Sequence, residues 1–353
     1  MPDIPEDPGL IPGFVVLIAP SGSYRIAAYI DAASSLGRSI LIISDSQYSL
    51  VPQVAHGITV DFSDLDAATA IACNVLDKVD IACVIATDDK CMSLCSRIAN
   101  QYGLPQNSAD AALLAQRKDL GREALRRAGC NTPDFTVFPV NARETTINVN
   151  YPLVLKPLNL SASRGVIRAN NDAELSIACK RIDAILETAG AQGFCRTHIM
   201  AESYLDGDEY AVDGFLQDGK FHLLTIFDKP EPLVGPFFEE TYYLTPTRLS
   251  VTRQHALISE VERCCAAYGL EHGPIHAEIR LTTTKPVLIE LAARTIGGQC
   301  GRLIEFSLGQ KLEEIVINGL CGQLPPSPAQ ANSVMAGASA VGSSRREAVR
   351  VEK

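Results

Sequence analysis

The segment VLIELAARTIGG, residues 287–298, sets Glu290 in an apolar, strand-like run and Arg294 four residues later, with Gly297 and Gly298 behind them. An ion pair at a strand end needs the carboxylate and the guanidinium but not the glycines. Paired glycines let the backbone approach a ligand closely and present its N–H groups. A second carboxylate, Glu278, lies in GPIHAEIRL, and a turn near Thr283–Lys285 would fold the two segments into a hairpin with both carboxylates on one face. Carboxylates so placed suit a hard cation such as Mg2+, which takes oxygen ligands and keeps phosphates in its shell. Arg294 could then meet charge developing on a phosphoryl group or a tetrahedral centre. Its purely structural alternative is an ion pair with Glu290.

His276 stands two residues before Glu278 and shares its face by strand alternation. No second His or Cys lies at ligand spacing, so a carboxylate magnesium site is favoured over zinc. Lys156 sits in the apolar run VLKP, where an ammonium is costly unless it is paired or serves a ligand. Five residues on, SASRG (Ser161 to Gly165) supplies small residues whose N–H groups can approach an anion. Glu202 ends a strand-like run at a point where a hinge backbone could hydrogen-bond an adenine edge, and Glu209 could take ribose hydroxyls. For both, an ordinary exposed carboxylate is the alternative. GxSxG does not occur, which argues against a serine hydrolase.

These groups need elements to hold them. A chain of 353 residues is long enough for two or three domains. Its net charge of −10 argues against general nucleic-acid or anionic-membrane binding. No apolar run approaches the ~20 residues of a membrane span, and the N-terminus MPDIPEDPGL lacks a basic leader region. Eleven cysteines without a CxxC pair read as free thiols in a reducing cytoplasm.

FVVLIA, SILIIS and IACVIA alternate with helical patterns at 24–36, 66–79 and 89–102, which implies a parallel sheet with crossovers. A charged helix at 119–128 follows, then PDFTVF, the strand-like YPLVLKPL and GVIRAN, and a helix from Asp172 as N-cap to Ala189. Further on come antiparallel strands turned at Asp218-Gly219, a helix at 254–268, the Glu278–Glu290 hairpin and a helix at 303–320.

In this order the motifs resemble the ATP-grasp superfamily: Lys118 in QRKDLGREAL, VLKP, SASRG, MAESYLDGDEY, IHAE and IELAARTIGG. Within it, GPFFEETYYLTP and ELAARTIGG are similar to carboxylate–amine ligases of the L-amino-acid (dipeptide) ligase type. The resemblance implies an α/β and α+β fold, with a Rossmann-like N-terminal domain (1–115) before a two-lobed ATP-grasp domain (small lobe 116–198, large lobe 199–324). The tail, 325–353, is expected to be loosely ordered and to stand for a shortened C-terminal subdomain.

The implied reaction phosphorylates a carboxylate with ATP and displaces the phosphate with an amine. The implied cofactors are ATP with Mg2+, for which Mn2+ can substitute. Lys118 and Lys156 would touch the phosphates. Ser161, Ser163 and Gly165 would form the lid over them. Glu202, the backbone of Ser203, Tyr204 and Leu205, and Glu209 would hold adenine and ribose. Glu278 and Glu290 would ligate the metal. Arg294 with the Gly297 and Gly298 amides would stabilise the reacting centre, with Lys229, Glu240 and His276 beside the acceptor. The implied partners are a small carboxylate and an amine, with no nucleic acid or membrane, in a cytoplasmic homodimer.

Three positions depart from the family pattern: Ala292 replaces an asparagine that serves a second metal ion, Ala162 a lid glycine, and Tyr243 a histidine of the substrate loop. A bicarbonate-using carboxylase or carbamoyl-phosphate-type enzyme, and an ATP-binding module with impaired chemistry, are the alternatives.

Overall fold

The computed structural model describes residues 11–46, 56–141, 147–238, 242–327 and 338–340. Strands β1 (Ile11–Ile18), β2 (Arg38–Ser44), β3 (His56–Thr59) and β4 (Ile81–Ala86) form a parallel sheet in the order β3-β2-β1-β4. Its central strands are apolar on both faces because both are covered. Val15 and Leu17 pack with Ile26 and Tyr29 of α1 (Ile26–Ser35), whereas Val16 and Ile18 pack with Ala68 and Ala72 of α2 (Leu65–Leu76) and with α3 (Met92–Gln101). The four-residue β3 and the helix α4 (Ala109–Gln116) add to the elements expected from sequence.

A second sheet, antiparallel, has the order β5-β8-β6-β7: β5 (Phe135–Pro139), β6 (Leu153–Pro157), β7 (Ile167–Ala169) and β8 (His198–Ser203). Helix α5 (Lys118–Arg127) leads into it, and α6 (Asp172–Thr188) covers it with Ala178, Ile182 and Leu186, one helical stripe. The N-cap of α6 is Asn171 rather than Asp172. The Asn171 side chain accepts the Glu174 N–H at 3.0 Å, and Glu174 accepts the Asn170 N–H at 2.9 Å. The short helix α7 (Gly193–Thr197) precedes β8.

The third sheet runs β13-β12-β9-β10-β11-β14, made of β9 (Asp208–Gln217), β10 (Lys220–Lys229), β11 (Tyr242–Leu244), β12 (Gly273–Leu281), β13 (Pro286–Ala292) and β14 (Ala338–Ala340). The Asp218-Gly219 turn has both residues at positive φ, 51° and 74°, as a two-residue hairpin demands. Helix α8 (Val251–Tyr268) packs Leu257, Val261 and Cys265 on the apolar face of this sheet. The single helix expected at 303–320 is two, α9 (Cys300–Leu308) and α10 (Leu312–Leu320). Gly309, left-handed at φ 71°, ends the first. Part of the expected loose tail joins the sheet edge, where β14 pairs antiparallel with β11.

All eleven cysteines are free thiols. Cys130, Glu260 and Cys264 bring three ligand-type atoms within 4.8 Å of one another in the core. Glu260 is already held there by the Asn131 N–H at 2.6 Å and Arg263 at 2.7 Å, and burial pushes both thiols up. The group pins the approach to β5 onto α8. Among the described residues, no helix is long and apolar enough to cross a membrane.

Candidate functional site

Strand register builds one wall of the site. His276, Glu278 and Arg280 alternate along β12 and so share a face. Across the ladder His276 faces Asp213, Arg280 faces Glu209, and Lys229 faces Glu209 from the other side. On the outer side Glu278 faces Glu290. Every charge on this face meets an opposite one. Lys229 Nζ lies 2.8 Å from both Glu209 and Glu278, and Arg280 Nε is 3.0 Å from Glu209. His276 lies 3.2 Å from Asp213 and 3.7 Å from Glu278, and Lys118 lies 3.4 Å from Glu290. Burial disfavours a charged imidazole, but Asp213 and Glu278 outweigh it and push His276 up to about 9.

The β12–β13 register slips by one residue at Ile289. This bulge turns consecutive residues, Ile289 and Glu290, towards the cleft, where strict alternation would hide one of them. The Ile289 carbonyl accepts a hydrogen bond from Arg122 of α5.

The opposite wall is the second sheet. Val154 of β6 is the register partner of Glu202 on β8, and Lys156 lies two residues further along β6. Lys156 Nζ is 2.7 Å from Glu202, and Arg122 holds the other carboxylate oxygen at 2.5 Å. Burial alone would raise the Glu202 pKa; Arg122 and Lys156 overcome it and hold the carboxyl at about 2. The following segment is fastened by Arg280, which donates to the carbonyls of Leu205 at 2.6 Å and Leu233 at 2.5 Å. The Tyr204 ring lies between the guanidiniums of Arg168 and Arg280, 4.1 and 5.2 Å from its centroid.

Between the walls opens a cleft lined by Lys156, Ser163, Glu202 to Leu205, Glu209, Glu278 and Glu290 together with apolar Val154, Val166 and Leu233. Nine of the sequence-predicted residues therefore converge. Lys118 reaches the cleft edge, its ammonium 2.7 Å from the Leu160 carbonyl, and Lys229 and His276 sit just behind Glu278. Ser161 and Gly165 flank Ser163 in the β6–β7 turn. Gly165 has φ 76°, and a side chain there would strike the Pro157 ring at 2.8 Å. Ala162 and Ser163 also take positive φ, 56° and 51°. Glu240 lies outside the described residues. Tyr243 is buried against the Phe227 ring.

Three details of the site differ from what local pattern suggests. The carboxylates of Glu202 and Glu209 line the cleft but are also engaged by buried cations, Glu202 by Arg122 and Lys156, Glu209 by Lys229 and Arg280. Arg294 does not pair with Glu290. Its Nε meets Asp89 of the β4–α3 connection at 3.1 Å. The Gly298 N–H is not an open donor, because it donates to the Tyr24 hydroxyl at 2.9 Å. Gly297 sits beside it, within 3.6 Å of Tyr24 and Arg25 as seen from where a side chain would begin.

Sequence reasoning missed Arg122, Arg280, Asp213 and Asp89. Helical spacing from Lys118 marks Arg122, and strand alternation from Glu278 marks Arg280. Asp213 and Asp89 carry no local signal.

Glu278 and Glu290 offer oxygen donors side by side, a set that fits a hard cation and not a soft one. Ala292, buried at 3% exposure, adds no donor. A parallel sheet followed by two antiparallel lobes gripping a carboxylate- and lysine-lined cleft defines an ATP-grasp architecture. The ATP-grasp domain family model matches residues 149–302.

In sequence the chain is 27% identical over 179 residues to dapdiamide A synthase of Enterobacter agglomerans, covering 48% of this chain and 40% of that protein. It is 26% identical over 311 residues to carnosine synthase 1 of Gallus gallus, covering 82% of this chain and 33% of that one. The chain thus spans less than half the length of these two relatives. In structure it resembles the L-amino acid ligase from Bacillus licheniformis, with a TM-score of 0.74 at 24% identity over 92% of this chain and 79% of the other.

Proposed function

We propose that the chain is an ATP-dependent, ADP-forming ligase that activates a small carboxylate as an acyl phosphate and joins it to an amine. The observation that carries this reading is the meeting of Lys156, Glu278 and Glu290, from two different sheets, on one cleft. A carboxylate resists attack by an amine because oxide leaves poorly, and phosphorylation supplies a leaving group. The protein then has to position the reactants and balance charge.

The carboxylate oxygen attacks the γ-phosphorus, and the bond to the bridging oxygen breaks to release ADP. The amine nitrogen attacks the acyl carbon, phosphate departs with the bonding pair, and the amine proton is lost to solvent or phosphate. Glu278 and Glu290 would hold Mg2+, or Mn2+ in its place, which when bound neutralises triphosphate charge. Lys118 and Lys156 face the phosphates, with Ser161, Ser163 and Gly165 closing over them. Ser203, Tyr204 and Leu205 present main-chain groups to adenine, with Glu202 and Glu209 fixing that segment from either side. Arg294 and the Gly297–Gly298 segment would meet the acyl phosphate, and Lys229 and His276 back the metal carboxylate.

In this reading 1–115 is the preceding domain, and 116–198 and 199–324 are the two lobes. The protein works in the cytoplasm as a homodimer.

The test is a phosphate-release screen over pairs of amino acids and small carboxylates with ATP and Mg2+, with the amide product followed by mass spectrometry. Turnover that needs both an acid and an amine, and that falls sharply to a still measurable rate in Arg294→Ala while nucleotide still binds, supports the proposal. ADP formation driven by bicarbonate alone, or no turnover with any pair, overturns it.

A further inference from the structure

The carboxylate that meets the guanidinium assigned to the reacting centre does not come from its own lobe. Arg294 Nε meets Asp89 at 3.1 Å, and Arg294 also donates to the Thr295 carbonyl at 3.0 Å. Asp89 follows β4 at the carboxyl edge of the N-terminal sheet, where β1 has neighbours on both sides and the chain connections diverge. In open parallel sheets this edge is where ligands gather.

The same edge grips the rest of the loop. Arg25 donates to the carbonyls of Thr87 at 3.2 Å and Ile296 at 3.4 Å, and lies 3.6 Å from Asp88. Tyr24 accepts the Gly298 N–H. Asp88 is engaged elsewhere, its Oδ2 taking the Ser23 and Thr87 hydroxyls at 2.7 and 2.6 Å. The β1–α1 turn is similarly committed, its Ser21 N–H donating to Asp45 at 2.7 Å.

We infer that Asp89 is a positioning residue for Arg294, so that the N-terminal sheet sets the aim of the guanidinium at the acyl phosphate. This rests on the ligase reading above. Arg294 is nearly buried, with 13% of its side chain exposed. Without Asp89 the guanidinium loses its nearest carboxylate and keeps the Thr295 carbonyl, with Glu290 and Asp88 acting on it only through charge. A misplacement of about 1 Å at a reacting centre costs on the order of a hundredfold in rate.

The experiment compares parent, Arg294→Ala, Asp89→Asn, Asp89→Glu and the Arg294→Ala/Asp89→Asn double variant. Each is assayed by steady-state phosphate release with the most active acid–amine pair, alongside ATP-analogue binding and thermal melting. The expected result is a kcat for Asp89→Asn about tenfold to a hundredfold below the parent. The KM for ATP stays unchanged, Asp89→Glu restores part of the rate, and the double variant is no slower than Arg294→Ala alone. A purely structural contact would lower the melting temperature without that coupling. Asp89→Asn at the parental kcat, or a loss that multiplies fully onto Arg294→Ala, overturns the inference and leaves the ligase reading standing. Arg294→Ala at the parental rate, or no turnover in the parent, overturns the ligase reading and this inference with it.

Discussion

Glu278 of β12 and Glu290 of β13 are register partners, Cα opposite Cα, on the wall of the cleft. Like charges directly opposed across a ladder destabilise it. The sheet tolerates this pair because each carboxylate has its own ammonium, Lys229 at 2.8 Å and Lys118 at 3.4 Å. Neither lysine belongs to the β12–β13 hairpin. The charge balance of the site therefore depends on β10 and α5 being in place.

Neutralising either carboxylate separates metal binding from folding. Glu278→Gln and Glu290→Gln are each expected to weaken Mn2+ binding, read by isothermal titration with an ATP analogue, by about a hundredfold. Glu278→Gln should also take one carboxylate from the buried Lys229, whereas Lys118 at the cleft edge can turn to water. The Glu278 variant is therefore the less stable of the two. Unchanged Mn2+ affinity in both variants would remove the metal site from this hairpin.

Glu202 gives the protein an acid-labile joint. Its folded pKa of about 2 lies below the ordinary 4.5. A depressed carboxylate stabilises the fold fully above its unfolded pKa, and this stability is lost as pH falls from about 4.5 through about 2. A shift of that size corresponds to about 3 kcal/mol. Denaturant melts from neutral to acid pH should show the loss in the parent. In Glu202→Gln the same window should be flatter, from a starting stability lower by about 3–5 kcal/mol, since two buried cations lose their partner. Equal slopes in the two proteins would show that another group carries the acid sensitivity.

Local patterns made much of this architecture legible. β-branched runs alternating with helices announced the parallel sheet, and Asp218-Gly219 announced its hairpin. The period of two placed Glu278, Glu290 and His276 on one face. Local pattern could not reveal contacts between lobes. Nothing near Glu202 says that its cations come from α5 and β6, and nothing near Arg294 says that its carboxylate lies about two hundred residues earlier; the nearer Glu290 was the only local choice. The bulge at Ile289 also breaks the alternation on which such reading depends. The single helix expected at 303–320 failed because an apolar rhythm resumes after Gly309, and rhythm alone does not register the left-handed break.

The seat of α10 against the large sheet can be tested at one atom. A side-chain carbon added at Gly319 would lie 2.4 Å from the fully buried Phe215 ring. Alanine gains about 1 kcal/mol of helix propensity over glycine, and overpacking costs about 1–3 kcal/mol. The ring has no free space to move into, because Phe215 packs with Val316, Ile317 and the Leu17 side of the parallel sheet. The clash should win, and Gly319→Ala should unfold at lower denaturant than the parent. A more stable variant would mean that α10 can shift, and that the N-terminal sheet is less firmly seated than the contacts indicate.

Arg122 ties the two walls together, and its geometry says which substitutions it tolerates. Nε takes Glu202 in the small lobe, and the other arm of the guanidinium takes the Ile289 carbonyl at the bulge that aims Glu290. A lysine keeps the charge but offers one compact donor group in place of a planar fork, so it can satisfy one partner and not both. Arg122→Lys should therefore leave Glu202 ionised while orphaning the Ile289 carbonyl, a loss of about 1–3 kcal/mol. Arg122→Ala removes a buried ionic partner and should cost about 3–5 kcal/mol. Both should weaken Mn2+ binding at the cleft by about tenfold, because Glu290 is aimed by the bulge that Arg122 holds. Denaturant melts and a Mn2+ titration on each variant check the two effects separately. Arg122→Lys matching the parent in both would mean that Arg122 supplies charge to Glu202 and nothing to the aim of Glu290.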